Sequence, residues 1–284
     1  MPVVPMKAIV DEAFDQRYGV AAINIFNDLT LRAVLQAAVE LHAPLIVQTS
    51  VKTVKWYGAN VVHGLFTEMT RDIPIPVTLH LDHCPDRAVI SECLQTGWNS
   101  VLFDAHELSV EENKRQTIEV VAEAKRYGAT VEGEIEAIEG VEDDIGADDA
   151  SSEQPLDVAL DFIRQTKIDC FAPSIGNKHG EYKSAPKLNA QRVSALVAAE
   201  PVPMVLHGGT GLSQAQFDDL IGRGCAKINI STALKVRYVD AHREFIDKYP
   251  KNYEPLALLR SVGEACKQLA IEHIRRFHSD GKAA

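Results

Sequence analysis

Short apolar and β-branched runs recur along the chain, each followed by a segment whose apolar positions repeat with helical period. That alternation is the signature of parallel βα units. Strands are predicted at 20–25, 45–49, 77–81, 100–103, 130–134, 170–173, 204–206 and 227–230, with apolar-periodic helices such as 29–41 and 110–127 between them. Eight such units predict an α/β protein, a single (β/α)8 TIM barrel. No Pro/Gly/Ser linker, composition shift or internal repeat divides the chain, so residues 1–284 are read as one barrel domain. A helical extension follows the last strand, interrupted only by KYPKNYEP. Residues 139–155, EGVEDDIGADDASSEQP, are too acidic and too poor in large apolar side chains to pack, which predicts an exposed, mobile loop after the fifth strand.

Composition narrows the partners. The 284 residues are 46% apolar and 24% charged, ordinary for a soluble globular protein. Lys plus Arg is 29 against 40 Asp plus Glu, a formal charge of -11, which disfavours nucleic acid and anionic lipid surfaces, so any phosphate site must be local. No apolar run approaches the roughly 18 residues of a membrane span, and the N-terminus carries acids where a signal peptide carries bases, so a cytoplasmic location is expected. Cys84, Cys93, Cys170, Cys225 and Cys266 are odd in number and lack CxxC spacing, which predicts buried free thiols.

In such a barrel, functional side chains stand at the C-terminal ends of the strands. There the sequence places Asn24, Ser50, Asp82-His83, Asp104 with His106, Glu132 and Glu134, then SIGNKHG at 174–180, His207 before a Gly-rich turn, and Asn229 with Ser231 and Thr232. His83, His179 and His207 follow the third, sixth and seventh strands and are read as a three-histidine metal site, a set that leaves zinc an open position. Asp104 and Glu134 either bind a second ion, orient the histidines, or serve as structural acceptors. Gly208, Gly209, Thr210 and Gly211 after the seventh strand, with Asn229, Ser231 and Thr232 after the eighth, stand where these barrels hold a phosphate. A metal beside a phosphate suggests a phosphorylated substrate whose carbonyl is polarised while a base removes the adjacent proton. Asp82 and an acid from the 139–155 loop are the candidates for that proton chemistry.

AINIFN, LDH, PSIGNKHGEY, LHGGTGLS, KINISTALK and the terminal FHSDGKA, in that order, identify a chain that resembles the class II, metal-dependent ketose-bisphosphate aldolases, the family of fructose- and tagatose-bisphosphate aldolases. The resemblance runs over essentially the whole chain. It implies reversible cleavage of a phosphorylated ketose to dihydroxyacetone phosphate and an aldehyde by a carbon–carbon lyase. It also implies one zinc ion per chain on His83, His179 and His207, with Asp104 and Glu134 able to hold the metal in an alternative position. Asp82 then handles the proton at the C4 oxygen, and Glu142 takes the proton from C3. Gly180, Gly208, Gly209, Thr210, Asn229, Ser231 and Thr232 cage the phosphate, with Asn229 also at the reacting atoms, Asn24 and Ser50 at the substrate, and a monovalent cation, Na+ or K+, nearby. A homodimer or homotetramer is the expected assembly. The competing readings are a metal-dependent hydrolase on the same barrel and a non-catalytic aldolase-like subunit.

Departures from the family pattern cluster away from the zinc and phosphate motifs. Glu136 and Glu139 replace two glycines of the loop, which should stiffen and charge it. Val51 and Lys52 follow Ser50, His106 stands at a common serine, and Cys84 follows LDH in place of the usual glycine. Lys52 and His106 are therefore expected to bring positive charge to the aldehyde half of the site and to favour an aldehyde with an anionic far end. The alternative is that Lys52 faces solvent or pairs with Glu136 or Glu139.

Overall fold

Residues 3–136, 138, 140–142, 145–147, 153–180 and 186–283 are described by a computed structural model. In chain order its strands are β1 (Val20–Asn24), β2 (Leu45–Ser50), β3 (Val77–Cys84), β4 (Ser100–Phe103), β5 (Thr130–Glu134), β6 (Gly140–Glu142), β7 (Ile145–Ala147), β8 (Cys170–Ala172), β9 (Met204–Leu206) and β10 (Cys225–Ile230). All but β6 and β7 pair in parallel and close a barrel in the order β1-β10-β9-β8-β5-β4-β3-β2. Each of the eight predicted strands is present, with ends that differ: β3 runs past Leu81 to Cys84, and β10 starts at Cys225.

The helices are α1 (Met6–Gln16), α2 (Asp28–Glu40), α3 (Val51–Tyr57), α4 (Ala59–Thr70), α5 (Arg87–Thr96), α6 (Val110–Arg126), α7 (Leu156–Thr166), α8 (Ala190–Ala199), α9 (Gln214–Arg223), α10 (Thr232–Lys248) and α11 (Pro255–Arg276). Local chemistry starts several of them. Asn27 and Thr30 form a capping box on α2, Ser213 and Gln216 do so on α9, and Glu254 caps α11 ahead of Pro255. The last of these accounts for the break at KYPKNYEP. Among the described residues no helix is long and apolar enough to cross a membrane.

Two apolar layers hold the barrel, and together they explain where the site can be. Outside the strands, residues such as Ile23, Val47, Leu79, Val101 and Phe171 pack under the helices. Inside, Val20, Ala22, Ile46, Cys170, Ala172 and Val205 pack on Met6, Ile9 and Val10 of α1, which closes the N-terminal end. Continuing with the two-residue period of a strand, the inward positions become Asn24 on β1, Gln48 and Ser50 on β2, His80 and Asp82 on β3, Glu132 and Glu134 on β5, and Lys227 and Asn229 on β10. The interior is thus apolar at one end and polar at the other. All five cysteines are free and buried.

The acidic segment differs from its expectation as an irregular loop. Gly140–Glu142 and Ile145–Ala147 pair antiparallel, with Val141 opposite Gly146. The β-branched Val141 and Ile145 favour extended backbone.

Candidate active site

The third strand supplies two neighbouring polar residues to the mouth, which regular alternation forbids. Pairing of β3 with β4 shifts register between Leu81 and Cys84, and His83 takes a left-handed backbone with φ of +41°. This bulge lets Asp82 and His83 both stand buried at the mouth. His207 follows β9, and His179 follows β8. One donor atom from each of the three imidazoles lies within 4.8 Å of the others. His83, Asp104 and Glu134 form a second such group.

Outer hydrogen bonds fix the histidine tautomers. His83 Nδ1 lies 2.7 Å from Asp104 Oδ2, and His207 Nε2 lies 2.8 Å from Glu132 Oε1. With both of those nitrogens donating to carboxylates, His83 Nε2 and His207 Nδ1 face each other at 2.8 Å, a hydrogen-bond distance at which one proton lies between them. A metal ion bound by both nitrogens would take the place of that proton. Glu134 Oε2 stands 3.7 Å from His207 Nδ1, buried and without a hydrogen-bond partner among the described residues. Burial, and then the Asp104 charge, push the Glu134 carboxyl well above its usual range. The donor set and these under-satisfied atoms fit a divalent metal.

Asp104 holds His83 from one side and His106 from the other, His106 Nδ1 lying 2.6 Å from Asp104 Oδ1. Burial opposes the Asp104 charge, but the hydrogen bonds from His106 and His83 outweigh it and keep the carboxyl well below its usual range. The same bond raises the pKa of His106. The Nδ1 face of His106, expected at the aldehyde, is thus engaged by Asp104.

The segment carrying His179 is wedged between backbone neighbours. A Cβ on Gly208, at φ of +64°, would lie 2.1 Å from the Lys178 carbonyl oxygen, so only glycine allows the two backbones to meet. On the other side a Cβ on Gly140 would lie 2.5 Å from the His179 carbonyl oxygen. Asn177 ties the segment down, its Nδ2 donating to the His207 carbonyl at 3.0 Å.

Beneath the histidines runs a charged network of which the sequence reading names only Glu132. Lys227 Nζ, fully buried, lies 2.8 Å from Glu132 Oε2, the carboxylate that also holds His207. His80 Nε2 lies 3.6 Å from the same oxygen, and burial together with Lys227 lowers the His80 pKa well below its ordinary value. Removing one partner of a buried pair strands the other charge and costs about 3–5 kcal/mol. Lys227→Met is expected to destabilise the protein by that amount in chemical denaturation; a change below about 1 kcal/mol would remove the pair from the fold's support.

Asp82 is enclosed by amides. Asn24 Nδ2 donates to its Oδ2 at 2.8 Å, Gln48 Nε2 at 3.2 Å, and Asn229 Nδ2 to Oδ1 at 3.3 Å. Gln48 also donates to Asn24 Oδ1. The period-two signal, a polar residue two before each strand-end polar residue, could have exposed Gln48, His80 and Lys227 from sequence. Ser50 caps α3, its Oγ accepting from Thr53 N at 3.5 Å.

On the opposite side of the mouth, the turn 208–211 meets the start of α10. Gly209 N donates to Asn229 O at 3.3 Å, and Thr210 Oγ1 accepts from Ala233 N at 3.3 Å. Ser231 Oγ and Asn229 Oδ1 are buried without hydrogen-bond partners among the described residues. Glycine backbone, an orphan hydroxyl and the N-terminus of a long helix make a site for an oxyanion. Thr232 opens that helix, and Gly180 lies at φ of +85° just after His179.

The remaining expected residues divide. Glu142 lies on β6, and its side chain is outside the described residues, as are Glu139 and Asp143. Glu136 is 1% exposed and paired with Arg192, so it neither charges the mouth nor meets Lys52. Lys52, exposed on α3, borders a groove with Lys55, Trp56 and Tyr57, while the cavity containing Asn24 and Ser50 is lined by Lys235.

A family model described as fructose-bisphosphate aldolase class-II matches residues 4–282. Over the full length of both chains, this one is 35% identical to a fructose-bisphosphate aldolase of Geobacillus stearothermophilus. It is 34% identical to a sulfofructosephosphate aldolase of Alkalicoccus urumqiensis, covering 100% of this chain and 99% of that one. The crystal structure of the YdjI aldolase from Escherichia coli K12 superposes with a TM-score of 0.88 at 32% identity, covering 99% of this chain and 100% of that one. A barrel of this form, matched from end to end by these enzymes, belongs to the class II fructose-bisphosphate aldolase family of carbon–carbon lyases.

Proposed function

We propose that the protein reversibly cleaves a phosphorylated ketose, a ketose 1,6-bisphosphate or related ketose 1-phosphate, to dihydroxyacetone phosphate and an aldehyde. The observation that carries this reading is the convergence of three imidazole donors within 4.8 Å, with an amide-held carboxylate and an oxyanion cradle bordering the same barrel mouth. His83, His179 and His207 would hold one zinc ion per chain, with Asp104 and Glu134 as the alternative carboxylate ligands. When bound, the ion supplies Lewis-acid polarisation of the ketose carbonyl. The protein's own groups do the rest. Gly180, Gly208, Gly209, Thr210, Asn229, Ser231 and Thr232 bind the phosphate, with a monovalent cation beside it. Glu142 removes the C3 proton, and Asp82, oriented by Asn24, Gln48 and Asn229, handles the proton of the C4 oxygen. A hydrolase would use its carboxylate to activate water and would have no call for the phosphate cradle. The whole chain acts as one domain, cytoplasmic and assembled as a homodimer or homotetramer; large apolar side chains standing in solvent at Trp56, Tyr253 and Leu256 support association between copies.

The aldehyde carries an anionic far end. Both relatives' names give the ketose a second acidic group, a phosphate in one and a sulfonate in the other, and similar identities of 35% and 34% do not choose between them. A cavity of about 320 Å³ opens beside Asn24, which holds Asp82, and is lined by Ser50, Phe26, Tyr238 and Lys235. Lys235, which lines that cavity, joins Lys52 and His106 as a cation for that far end. The test is synthesis from dihydroxyacetone phosphate with glyceraldehyde 3-phosphate, its sulfonate analogue and neutral glyceraldehyde. Lys235→Ala is expected to lower kcat/KM for the anionic aldehydes by about 10–100-fold, a charge-assisted hydrogen bond, and to spare the neutral one. Equal losses for all three return Lys235 to a structural role, and no condensation with any aldehyde by the wild type overturns the aldolase reading.

A further inference from the structure

The buried Glu136 and Arg192 stand where the acidic segment leaves and rejoins the barrel. Glu136 follows β5, and Arg192 projects from the first turn of α8; their side chains form an ion pair, 1% and 8% exposed as residues. The pair also binds the returning end of the segment. Gln154 N donates to Glu136 Oε1 at 3.2 Å, and Arg192 Nη1 donates to the Gln154 carbonyl at 2.7 Å. Next to it, Asn189 Nδ2 donates to Glu153 Oε2 at 2.8 Å. Ser174 N, at the start of the segment leading to His179, donates to Glu136 Oε2 at 3.3 Å. One carboxylate and one guanidinium therefore join the exit of β5, the entry to α7, α8 and the His179 segment.

Stability alone is a poor reason for such a pair. Burying two charges incurs a desolvation cost that apolar side chains of the same size avoid, and the better-attested gain is a fixed geometry. Here the fixed geometry is that of the two ends of residues 137–153, and between them β6 lies with Gly140 against the backbone of His179.

We propose that Glu136 and Arg192 are positioning residues: by clamping both ends of the 137–153 segment to the His179 segment, they set where the strand bearing Glu142 stands over the site. The consequence for catalysis rests on the reading of Glu142 as the C3 base. Where the family has a glycine the chain has an ion-paired glutamate, so the backbone on both sides of β6 is anchored before substrate arrives.

Hydrogen exchange by mass spectrometry and dihydroxyacetone phosphate C3-proton exchange test this on Glu136→Gln, Arg192→Lys and the double variant Glu136→Gln/Arg192→Met, which strands no charge. In Glu136→Gln and the double variant, amides of 137–153 are expected to exchange about tenfold faster or more while barrel strands keep their protection. The kcat of C3-proton exchange is expected to fall about fivefold or more, with KM for dihydroxyacetone phosphate and metal content within about twofold of wild type. Arg192→Lys keeps the charge and is expected to recover most of the rate. Unchanged 137–153 exchange in both of those variants overturns the clamp. So does faster exchange spread over the whole barrel, or a kcat that does not move while the segment loosens. If the wild type shows no C3-proton exchange, the aldolase reading fails by itself, and the hydrogen-exchange result still decides the clamp.

Discussion

His207→Ala is expected to remove aldol cleavage almost entirely, and stripping divalent metal from the unmodified protein is expected to do the same until zinc is returned. His207 offers its Nδ1 to the cluster because Glu132 occupies its Nε2, and the substitution deletes both the donor and the partner that orients Glu132. Lewis-acid stabilisation contributes several kcal/mol, and a loss of about 4 kcal/mol corresponds to roughly 10³-fold in rate. Metal retention should also depend on pH. Burial opposes a charge on His83, but Asp82 and Asp104 outweigh it and raise its pKa well above the ordinary histidine value. The metal must displace that proton, so zinc affinity should weaken as pH falls through the raised pKa and recover above it. Metal analysis after dialysis at several pH values checks this, alongside the rate of dihydroxyacetone phosphate release. Full activity in metal-free protein or in His207→Ala would sink the metal reading.

The fold was legible because a barrel repeats one rule. Each buried strand such as Leu45–Ser50 or Cys225–Ile230 is a short apolar run, each intervening helix has an apolar face, and the order of the units dictates closure. Strand-end polar residues were legible for the same reason: the fold assigns them to one mouth. What the sequence hid is whatever depends on side chains meeting across the barrel. Lys227 sits in CAKINI, where nothing nearby in sequence says that Glu132 will be 2.8 Å away. Glu136 looked like surface charge because its partner Arg192 is distant in the chain, on α8, and the buried ion pair is invisible until the two elements are packed. His106 and Lys52 were drawn to the aldehyde by their charge. His106 is held through its Nδ1 by Asp104, Lys52 lines a groove that shares Phe26 and Thr53 with the cavity beside Asn24, and Lys235, one helical turn beyond Ser231, lines that cavity itself. The bulge at Asp82-His83 was also unreadable, since the register shift that turns both residues inward is a property of β3 against β4.

Asp82→Asn and Glu142→Gln are expected to separate the two proton transfers of the proposed reaction. Asp82 accepts hydrogen bonds from three side-chain amides, so it is fixed in place and surrounded by donors that stay put when its proton moves. In Asp82→Asn an amide would face three amides, the acceptor is lost, and carbon–carbon cleavage should fall by about 10²–10⁴-fold, the usual contribution of a general acid or base. Exchange of the C3 proton of dihydroxyacetone phosphate alone involves no C4 oxygen, so it should continue in this variant. Glu142→Gln should do the reverse to exchange: with the base gone, washout of the C3 proton of dihydroxyacetone phosphate into deuterated water should slow by a similar factor, and cleavage should slow with it, because both directions pass through that proton transfer. The pair of measurements is informative because loss of fold or of metal would depress both activities in both variants. Equal loss of exchange in Asp82→Asn and Glu142→Gln would end the division of labour. Normal exchange in Glu142→Gln would move the base elsewhere along the segment, with Glu139 and Asp143 the next acids to replace, and would leave β6 as a support for the His179 backbone alone.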